Sequence, residues 1–378
     1  MPWRQGVSTV GACLPSEAPT ERTPVITIDP QTTTADDSAV VPTVAEAGAT
    51  TDALPATVVD AAVIGGGAAG LSGALMLARS RRSVVVIDSA APRNAPAEGI
   101  HALLGNEGTA PATYLARGRA EVRQYGGLIV AGEVTSARAA DPSAEGDLRF
   151  TLTLADGRTL TARRLLVATG IRDELPEIPG LAAHWGTNLV HCPFCHGWEV
   201  RDRAIGVIAT RAMSFHQVLM FRALSEDVTV FVAEGLEIDP GTRERFTALG
   251  VTVVETGIEE IVADAEGSLA GVRLVGGELV PRSVLTTATV MLPRLDGLED
   301  LGLQVEDLPA EMGRKIATGS AGATEVPGVW VAGNAADPSA QVGAAAAGGA
   351  LAGGHIHGML VMADADAAVA AHRARVAA

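Results

Sequence analysis

Residues 57–88 constrain this chain more than any other stretch. Thr57-Val58-Val59-Asp60-Ala61-Ala62-Val63-Ile64 is an apolar run of the length of one buried strand. It breaks into Gly65-Gly66-Gly67-Ala68-Ala69-Gly70 and continues as an Ala- and Leu-rich helical stretch from Leu71 to Ser80. A second apolar run, Ser83-Val84-Val85-Val86-Ile87-Asp88, then ends in an acid. With 43 glycines in 378 residues the bare GxGxxG pattern says little; its setting between two strands gives it meaning. Gly65 permits the tight turn and Gly67 lets the backbone approach a pyrophosphate. Gly70 lets helix and strand pack closely, and the helix N-terminus faces the phosphates. Asp88 follows about 20 residues on, where a carboxylate holds a ribose hydroxyl. The alternative is a glycine-rich turn in an ordinary α/β unit.

The second informative stretch is His191-Cys192-Pro193-Phe194-Cys195-His196, in a chain with only three cysteines. A CxxC pair closes a small, reducible ring, and its first thiol is acidified at a helix start or beside a cation. The flanking histidines are placed to hold or move a proton. His196, directly after the second thiol, is the better candidate for a general base; His191 is as compatible with helix capping or packing as with catalysis. A zinc site is the competing reading, but no second Cys or clustered His pair follows at zinc-ribbon spacing, and no metal is expected. Three cysteines make no structural disulfide framework, which points to a reducing, cytoplasmic setting with a catalytic pair. His101, His355 and His357 read mainly as structural, although the last two could reach the active site through the C-terminal helix.

Composition narrows the partners. The formal charge of −16 repels a phosphate backbone and an anionic membrane surface. Aromatics at 3% are too few for a base-stacking surface. No apolar run approaches the ~18 residues of a membrane span. Nucleic acid and membrane are therefore excluded as partners. Residues 1–56, rich in Thr, Pro, Ala and acids without hydrophobic periodicity, read as a disordered extension. Met1 to Ser8 has neither the basic start nor the apolar core of a signal peptide, and Cys13 reads as incidental.

Downstream, a polar hairpin region near Glu133–Thr161 leads to a strand, Arg164-Leu165-Leu166-Val167, followed by Ala168-Thr169-Gly170. Ala204–Ala209, Met213–Leu224 and Asp227–Val232 repeat the strand–turn–helix–strand pattern. Gly328-Val329-Trp330-Val331-Ala332-Gly333-Asn334 is a strand entering a turn, and Gln341–Leu360 is a small-residue helix suited to lie against a cofactor or another helix.

Val63–Gly70, Val167–Gly170, the CxxC and Val326–Gly333 occur in the order found in low-molecular-weight thioredoxin reductases, which residues 57–378 resemble. The resemblance implies an α/β fold of two Rossmann-like three-layer domains. An FAD-binding domain (57–177 and 290–378) would be split by an inserted pyridine-nucleotide-domain-like region (178–289) that carries the CxxC. It also implies a homodimer. Carried over by position, Gly65, Gly67, Ala68, Ala69 and Asp88 would hold the ADP half of FAD. Thr169 and Gly170 would line the cofactor, Gly333 and Asn334 would contact its ribityl and phosphate region, and Gln341 and Val342 would meet the flavin pyrimidine edge. Asn334 replaces the family's usual Asp.

Two departures point away from a reductase. The second turn, Gly206-Val207-Ile208-Ala209-Thr210-Arg211-Ala212-Met213, has one glycine, so side chains at Ala209 and Arg211 are expected to obstruct a pyrophosphate. The following strand ends at Glu234 without an arginine pair for a 2′-phosphate. Cys195-His196-Gly197-Trp198-Glu199 lacks the acid usual after the second cysteine. It resembles instead the dithiol oxidases that close disulfides in small natural products such as gliotoxin and holomycin, using FAD and molecular oxygen. The expectation is an FAD-dependent dithiol oxidase with Cys192, Cys195 and His196 as catalytic residues, acting on a small-molecule dithiol and O2. The alternatives are a disulfide reductase fed by NADPH or ferredoxin, and a non-catalytic redox-sensing flavoprotein. Substrate specificity is expected from the loop after Asp88, including Arg93, Asn94 and Gly99–Gly108.

Overall fold

Strand β1 (Val59–Ile64) is buried along its length except at Asp60. A strand apolar on both faces needs cover on both, which places it at the centre of a parallel sheet. The structure, a computed structural model, describes residues 51–140 and 147–377. After β1 come α1 (Ala68–Arg79), β2 (Val84–Asp88), α2 (Pro111–Gln124), β3 (Leu128–Ala131), β4 (Val134–Ala139), β5 (Phe150–Leu154) and β6 (Thr159–Val167). β1 lies between β2 and β6, parallel to both, and β3 extends the sheet beyond β2. The first half of β6 pairs with β5 in an antiparallel hairpin that continues to β4. β1 feeds two cores. Ala61 and Val63 pack with the helices on one face, while Ala62 and Ile64 join Phe150, Leu152 and Leu165 on the other.

The chain leaves this sheet through β7 (Ile171–Glu174). It then builds β8 (Leu189–Val190), α3 (Pro193–His196), β9 (Ile205–Ala209), α4 (Met213–Arg222), β10 (Val228–Val232), α5 (Pro240–Leu249) and β11 (Thr252–Val254). Next come β12 (Ile258–Ala263), β13 (Leu269–Leu274), β14 (Leu279–Pro281) and β15 (Val284–Thr287). It returns through β16 (Val290–Pro293), β17 (Val305–Asp307), β18 (Arg314–Ile316), β19 (Val329–Val331) and α6 (Val342–Ala377). A second parallel sheet has the order β11-β10-β9-β15-β8, and β12, β13 and β14 form a small antiparallel sheet. β19 returns to the first sheet beside the second half of β6. The fold is thus α/β with two Rossmann-like parallel sheets. The outgoing β7 and returning β16 pair antiparallel, so both crossings run through one two-stranded ribbon.

Two sequence expectations change. Order begins before Thr57: the Asp52 N–H donates to the Ile129 carbonyl (2.8 Å), and the Asp52 carboxylate accepts from the Ile129 N–H (2.7 Å) and Arg123 (2.9 Å). These bonds satisfy the open edge of β3, which average composition cannot reveal. Residues 1–50, with Cys13, lie outside the described residues. The last helix also runs well past Leu360, to Ala377. Its small residues serve contact with α1. A Cβ on Gly349 would stand 1.9 Å from the Ala69 carbonyl oxygen, and one on Gly353 2.5 Å from that of Gly73.

Charge fastens α6 to the sheet beyond this contact. Asp364 accepts from Arg82 (2.6 Å) and Arg163 (2.7 Å), and Arg163 also reaches Asp60 (3.0 Å) and Asp147 (2.6 Å). Burial opposes ionisation of Asp364, but the two arginines outweigh it and its pKa is lowered. A lowered carboxylate pKa stabilises the fold above the unfolded value near 4 and ceases to do so as pH falls through the folded value. Because Asp364 is partly exposed, Asp364→Asn should cost about 1 kcal/mol in denaturant unfolding at pH 7. The difference from the wild type should shrink as pH falls below about 4 and be lost once pH has passed through the lowered pKa of the folded state.

Candidate active site

The first turn is built by collisions that only glycine avoids. Gly65 has φ +106°, and a Cβ there would stand 2.4 Å from the Ala168 carbonyl oxygen. A Cβ on Gly70 would stand 1.9 Å from the Gly65 carbonyl oxygen. Gly67 differs: no protein atom lies within 4 Å of its would-be Cβ, and it lines a cavity of about 320 Å³. The N-terminus of α1 opens there with no side chain capping it and no acid in its first turn. An exposed, uncapped helix start beside an open glycine fits an anionic group such as a pyrophosphate. Asp88 stands at the end of β2, where its carboxylate accepts from the Ala90 N–H (3.1 Å) and Arg119 (3.2 Å).

The cavity runs from this loop to the second cysteine. Gly65, Gly67, Ala68, Ala69, Asp88, Thr169, Gly170, Gly333, Asn334, Gln341, Val342, Cys195 and His196 all line it. Cys192, of the expected site residues, does not, so the two thiols differ in what they face. Thr169 also donates from its hydroxyl to the Arg294 carbonyl (2.8 Å), tying the end of β6 to the returning chain.

Asn334 explains its own departure from Asp. Its Nδ2 donates to the carbonyls of Asp337 (3.2 Å), Pro338 (3.1 Å) and Ala340 (2.8 Å). Three carbonyl acceptors require an amide nitrogen, which a carboxylate cannot supply. The amide thereby shapes the turn that leads to Gln341 and α6.

Both CxxC thiols are free and half-buried at the start of α3. The Cys195 thiol donates to the Cys192 sulfur, and this contact chiefly lowers the Cys192 pKa to about 6. Burial opposes the shift, while the N–H groups of Cys195 and Phe194 and the charge of Arg93 add to it. The same hydrogen bond raises Cys195, which is held protonated beside the Cys192 thiolate. Burial lowers the pKa of His196; Glu199 opposes this and His101 reinforces it. His196 is therefore a neutral imidazole at pH 7, able to accept a proton.

His191 is held by the second sheet. Its Nδ1 donates to the Thr287 carbonyl (3.2 Å), and its own carbonyl accepts from Gln217 Nε2 (2.8 Å). Burial lowers its pKa. His355 and His357 have other partners: His355 accepts from the Trp330 indole N–H (2.9 Å), and His357 from Arg82 (3.2 Å). Among the described residues no three His, Cys, Asp or Glu side chains are grouped as metal ligands.

The second turn is closed differently from expectation. Ala209, the last residue of β9, turns its side chain into the core of the second sheet, not into the turn. Gly206 is kept for packing, since a Cβ there would stand 2.7 Å from Leu285 and 2.9 Å from the Phe231 ring. Arg211 donates to the Glu311 carbonyl, which commits its guanidinium within the chain.

Two side chains do more than the sequence motifs suggest. His101 reaches Glu107 (2.7 Å) and Glu199 (3.6 Å), linking the loop after β2 to the turn that follows the CxxC. Arg93, read only as part of a specificity loop, makes a two-pronged ion pair with Asp173 (2.6 and 2.7 Å). No spacing rule connects positions 93 and 173; a basic residue in a glycine- and proline-rich loop beside a ligand site is the only sequence signal.

A family model described as pyridine nucleotide-disulphide oxidoreductase matches residues 59–350. The chain belongs to this family. The thioredoxin reductase tcpT of Claviceps purpurea is 35% identical over 254 residues, 65% of this chain and 77% of the relative. The thioredoxin reductase sirT of Leptosphaeria maculans is 32% identical over 325 residues, 82% of this chain and 96% of the relative. The crystal structure of HlmI superposes with a TM-score of 0.78 at 41% identity, covering 86% of this chain and 99% of that one. An oxidoreductase from Agrobacterium tumefaciens superposes with a TM-score of 0.74 at 34% identity, covering 81% and 99%. The chain is accordingly a thioredoxin reductase-like oxidoreductase of a flavin-dependent family.

In the reduced protein, Cys192 should alkylate with a midpoint near pH 6, and Cys195→Ala should raise that midpoint by removing the leading donor. Peptide mass spectrometry of iodoacetamide-treated samples reads both. Asn334→Asp replaces a donor by a charge facing three carbonyls. It should lower thermal stability by about 1–3 kcal/mol and reduce bound flavin per chain, measured by absorbance.

Proposed function

We propose that this protein is an FAD-dependent dithiol oxidase that closes a disulfide in a small-molecule dithiol, with oxygen reduced to hydrogen peroxide. The observation that carries this reading is the single cavity that joins the glycine loop to Cys195 and His196 and leaves Cys192 outside it. In this reading Gly65, Gly67, Ala68, Ala69 and Asp88 hold the ADP half of FAD. Thr169, Gly170, Gly333, Asn334, Gln341 and Val342 hold the rest, within a domain formed by 57–177 and 290–378. When bound, FAD supplies the two-electron chemistry that returns the thiol pair to its disulfide at the expense of oxygen.

The chain's own groups perform the thiol exchange. A substrate thiolate attacks the Cys192 sulfur of the oxidised pair, and Cys195 leaves as a thiolate. The second substrate thiol gives its proton to His196 and attacks the substrate sulfur of the mixed disulfide. Cys192 leaves as a thiolate, and its low pKa favours that departure. The substrate loses two electrons and two protons, and oxygen takes up two of each. Phe194 and Trp198, 63% and 68% exposed in the segment that follows Cys192, offer apolar surface to the substrate scaffold.

The second turn supports the oxidase over an NADPH-fed reductase: Gly206 lies within β9, which leaves no glycine in the turn from Thr210 to Ala212, and Arg211 is committed to Glu311. The names of tcpT and sirT favour the second reading, a disulfide reductase. We take the protein to be a homodimer acting in the cytoplasm. The exposed Leu351, Met362 and Val376 on α6 are consistent with a partner subunit, and no helix among the described residues is long and apolar enough to cross a membrane.

Oxygen uptake with a panel of small dithiols should yield one peroxide per disulfide. His196→Asn should cut turnover about 10²-fold or more while leaving flavin content unchanged. Rapid anaerobic bleaching of the flavin by NADPH in stopped flow would overturn the oxidase reading.

A further inference from the structure

We propose that residues 91–109 form a strap that retains the cofactor, with Arg93 as the positioning residue that clasps it to the β7–β16 ribbon. The proposal rests on the flavin reading of the cavity. A strand and the helix after it are commonly joined by about 2–6 residues. The connection from Asp88 to Pro111 is far longer and holds no helix or strand, only an isolated bridge between Ile100 and Thr109. Ala91, Arg93, Asn94, Ile100 and His101 line the cavity, so this segment supplies one of its walls.

A segment without secondary structure of its own keeps its place through contacts with its neighbours. Here those contacts are unequal. Arg93 donates from Nε and Nη2 to Asp173 of β7 (2.6 and 2.7 Å). The Asp173 side chain is 5% exposed and also accepts from the Thr289 hydroxyl (2.6 Å), just before β16. Arg294, directly after β16, donates to the Ala91 carbonyl (3.3 Å). Both sides of the ribbon therefore hold the start of the strap. A forked ion pair fixes the guanidinium in one pose, and its loss leaves a buried carboxylate short of its partner. Farther along, Pro96 sits against Gly186, where a Cβ would stand 2.6 Å from the Pro96 Cβ. Leu103 lies against the start of α6, with its Cδ1 3.2 Å from a would-be Cβ on Gly343. The only charged tie at this end is His101 Nε2 to the exposed Glu199 (3.6 Å), a contact that contributes little. His101 Nδ1 and the Ala102 N–H bond Glu107 within the strap (2.7 and 2.8 Å), which stiffens the segment without fastening it. The strap is thus firm at Arg93 and loose at His101, and the Arg93 clasp sets how long a flavin stays in the cavity.

The test is the rate at which FAD leaves the full-length protein on dilution, read by the rise of free-flavin fluorescence, with hydrogen exchange mapped by mass spectrometry. Arg93→Gln and Asp173→Asn should each speed release about tenfold or more and raise exchange within residues 91–109. His101→Gln, which loses only the weak tie, should speed it by about threefold at most. Asp364→Asn, which loosens α6 away from the strap, is the control for general destabilisation and should leave the rate unchanged. Wild-type release from folded Arg93→Gln and Asp173→Asn overturns the proposal, as does equal acceleration by Asp364→Asn. If neither clasp variant folds, Arg93→Lys decides, because it keeps the charge and loses the fork: release about threefold faster supports the clasp, and an unchanged rate overturns it. A folded wild type that neither carries flavin nor takes up added FAD would overturn the flavin reading together with the strap.

Discussion

The contact between Gly70 and the Gly65 carbonyl governs the architecture of the site. It permits α1 to start directly over the end of β1, at a distance that any side chain at Gly70 would forbid. That start aims free N–H groups at the space above the sheet. The same closeness recurs farther along α1, where Gly349 and Gly353 bring α6 against its backbone. α6 in turn carries Val342 and Ala345 to the rim of the cavity. One glycine-rich surface thus sets the floor of the site, the position of the last helix and the mouth through which a ligand would lie.

The thiols depend on a different frame. The two-residue strand β8 and the one-turn α3 are too short to hold themselves, and the second sheet holds them. Gln217 on α4 and the Thr287 carbonyl at the end of β15 fix His191, and the CxxC follows immediately. Arg93 reaches the same region from the first sheet, with Asp173 and Thr289 as its anchor. The unequal ionisation of Cys192 and Cys195 comes chiefly from the hydrogen bond between them, within the short CxxC turn that this frame holds. The chemistry argued for Cys192, attack by a substrate thiolate and departure as a stable thiolate, draws on that inequality.

Much of this is legible in the amino-acid sequence. The first βαβ unit could be read because its periodicity, glycines and terminal acid agree at every level. Burial patterns of β1, β2, β9 and β10 follow directly from their apolar runs. The cavity-lining positions Gly65 through Ala69, Thr169, Gly170 and Gly333 were legible because glycine and small residues mark close backbone approaches. Less legible were features that join remote positions. Asp52 closes the edge of β3 from a segment whose composition reads as disorder, since two hydrogen-bonding residues do not change an average. Ala209 was misread as an obstruction because spacing within a turn does not say which way a Cβ points; the pleat of β9 turns it into the core. In the sequence Asn334 was only a replacement for the family's usual Asp, and the three converging carbonyls show what its amide does.

By itself the amino-acid order determined the local units: which runs are strands, where glycine permits a turn, where two thiols can meet, and that the second turn lacks the glycines of the first. These depend on neighbours a few residues apart, through backbone sterics and hydrophobic period. Tertiary structure decided what those units face. It put Cys195 in the lining of the cavity and left Cys192 out of it, committed Arg211 to the Glu311 carbonyl, and brought Arg93 to Asp173 across 80 positions. Charge and burial act through space, so the acidity of a thiol is a property of whichever side chains the fold gathers around it.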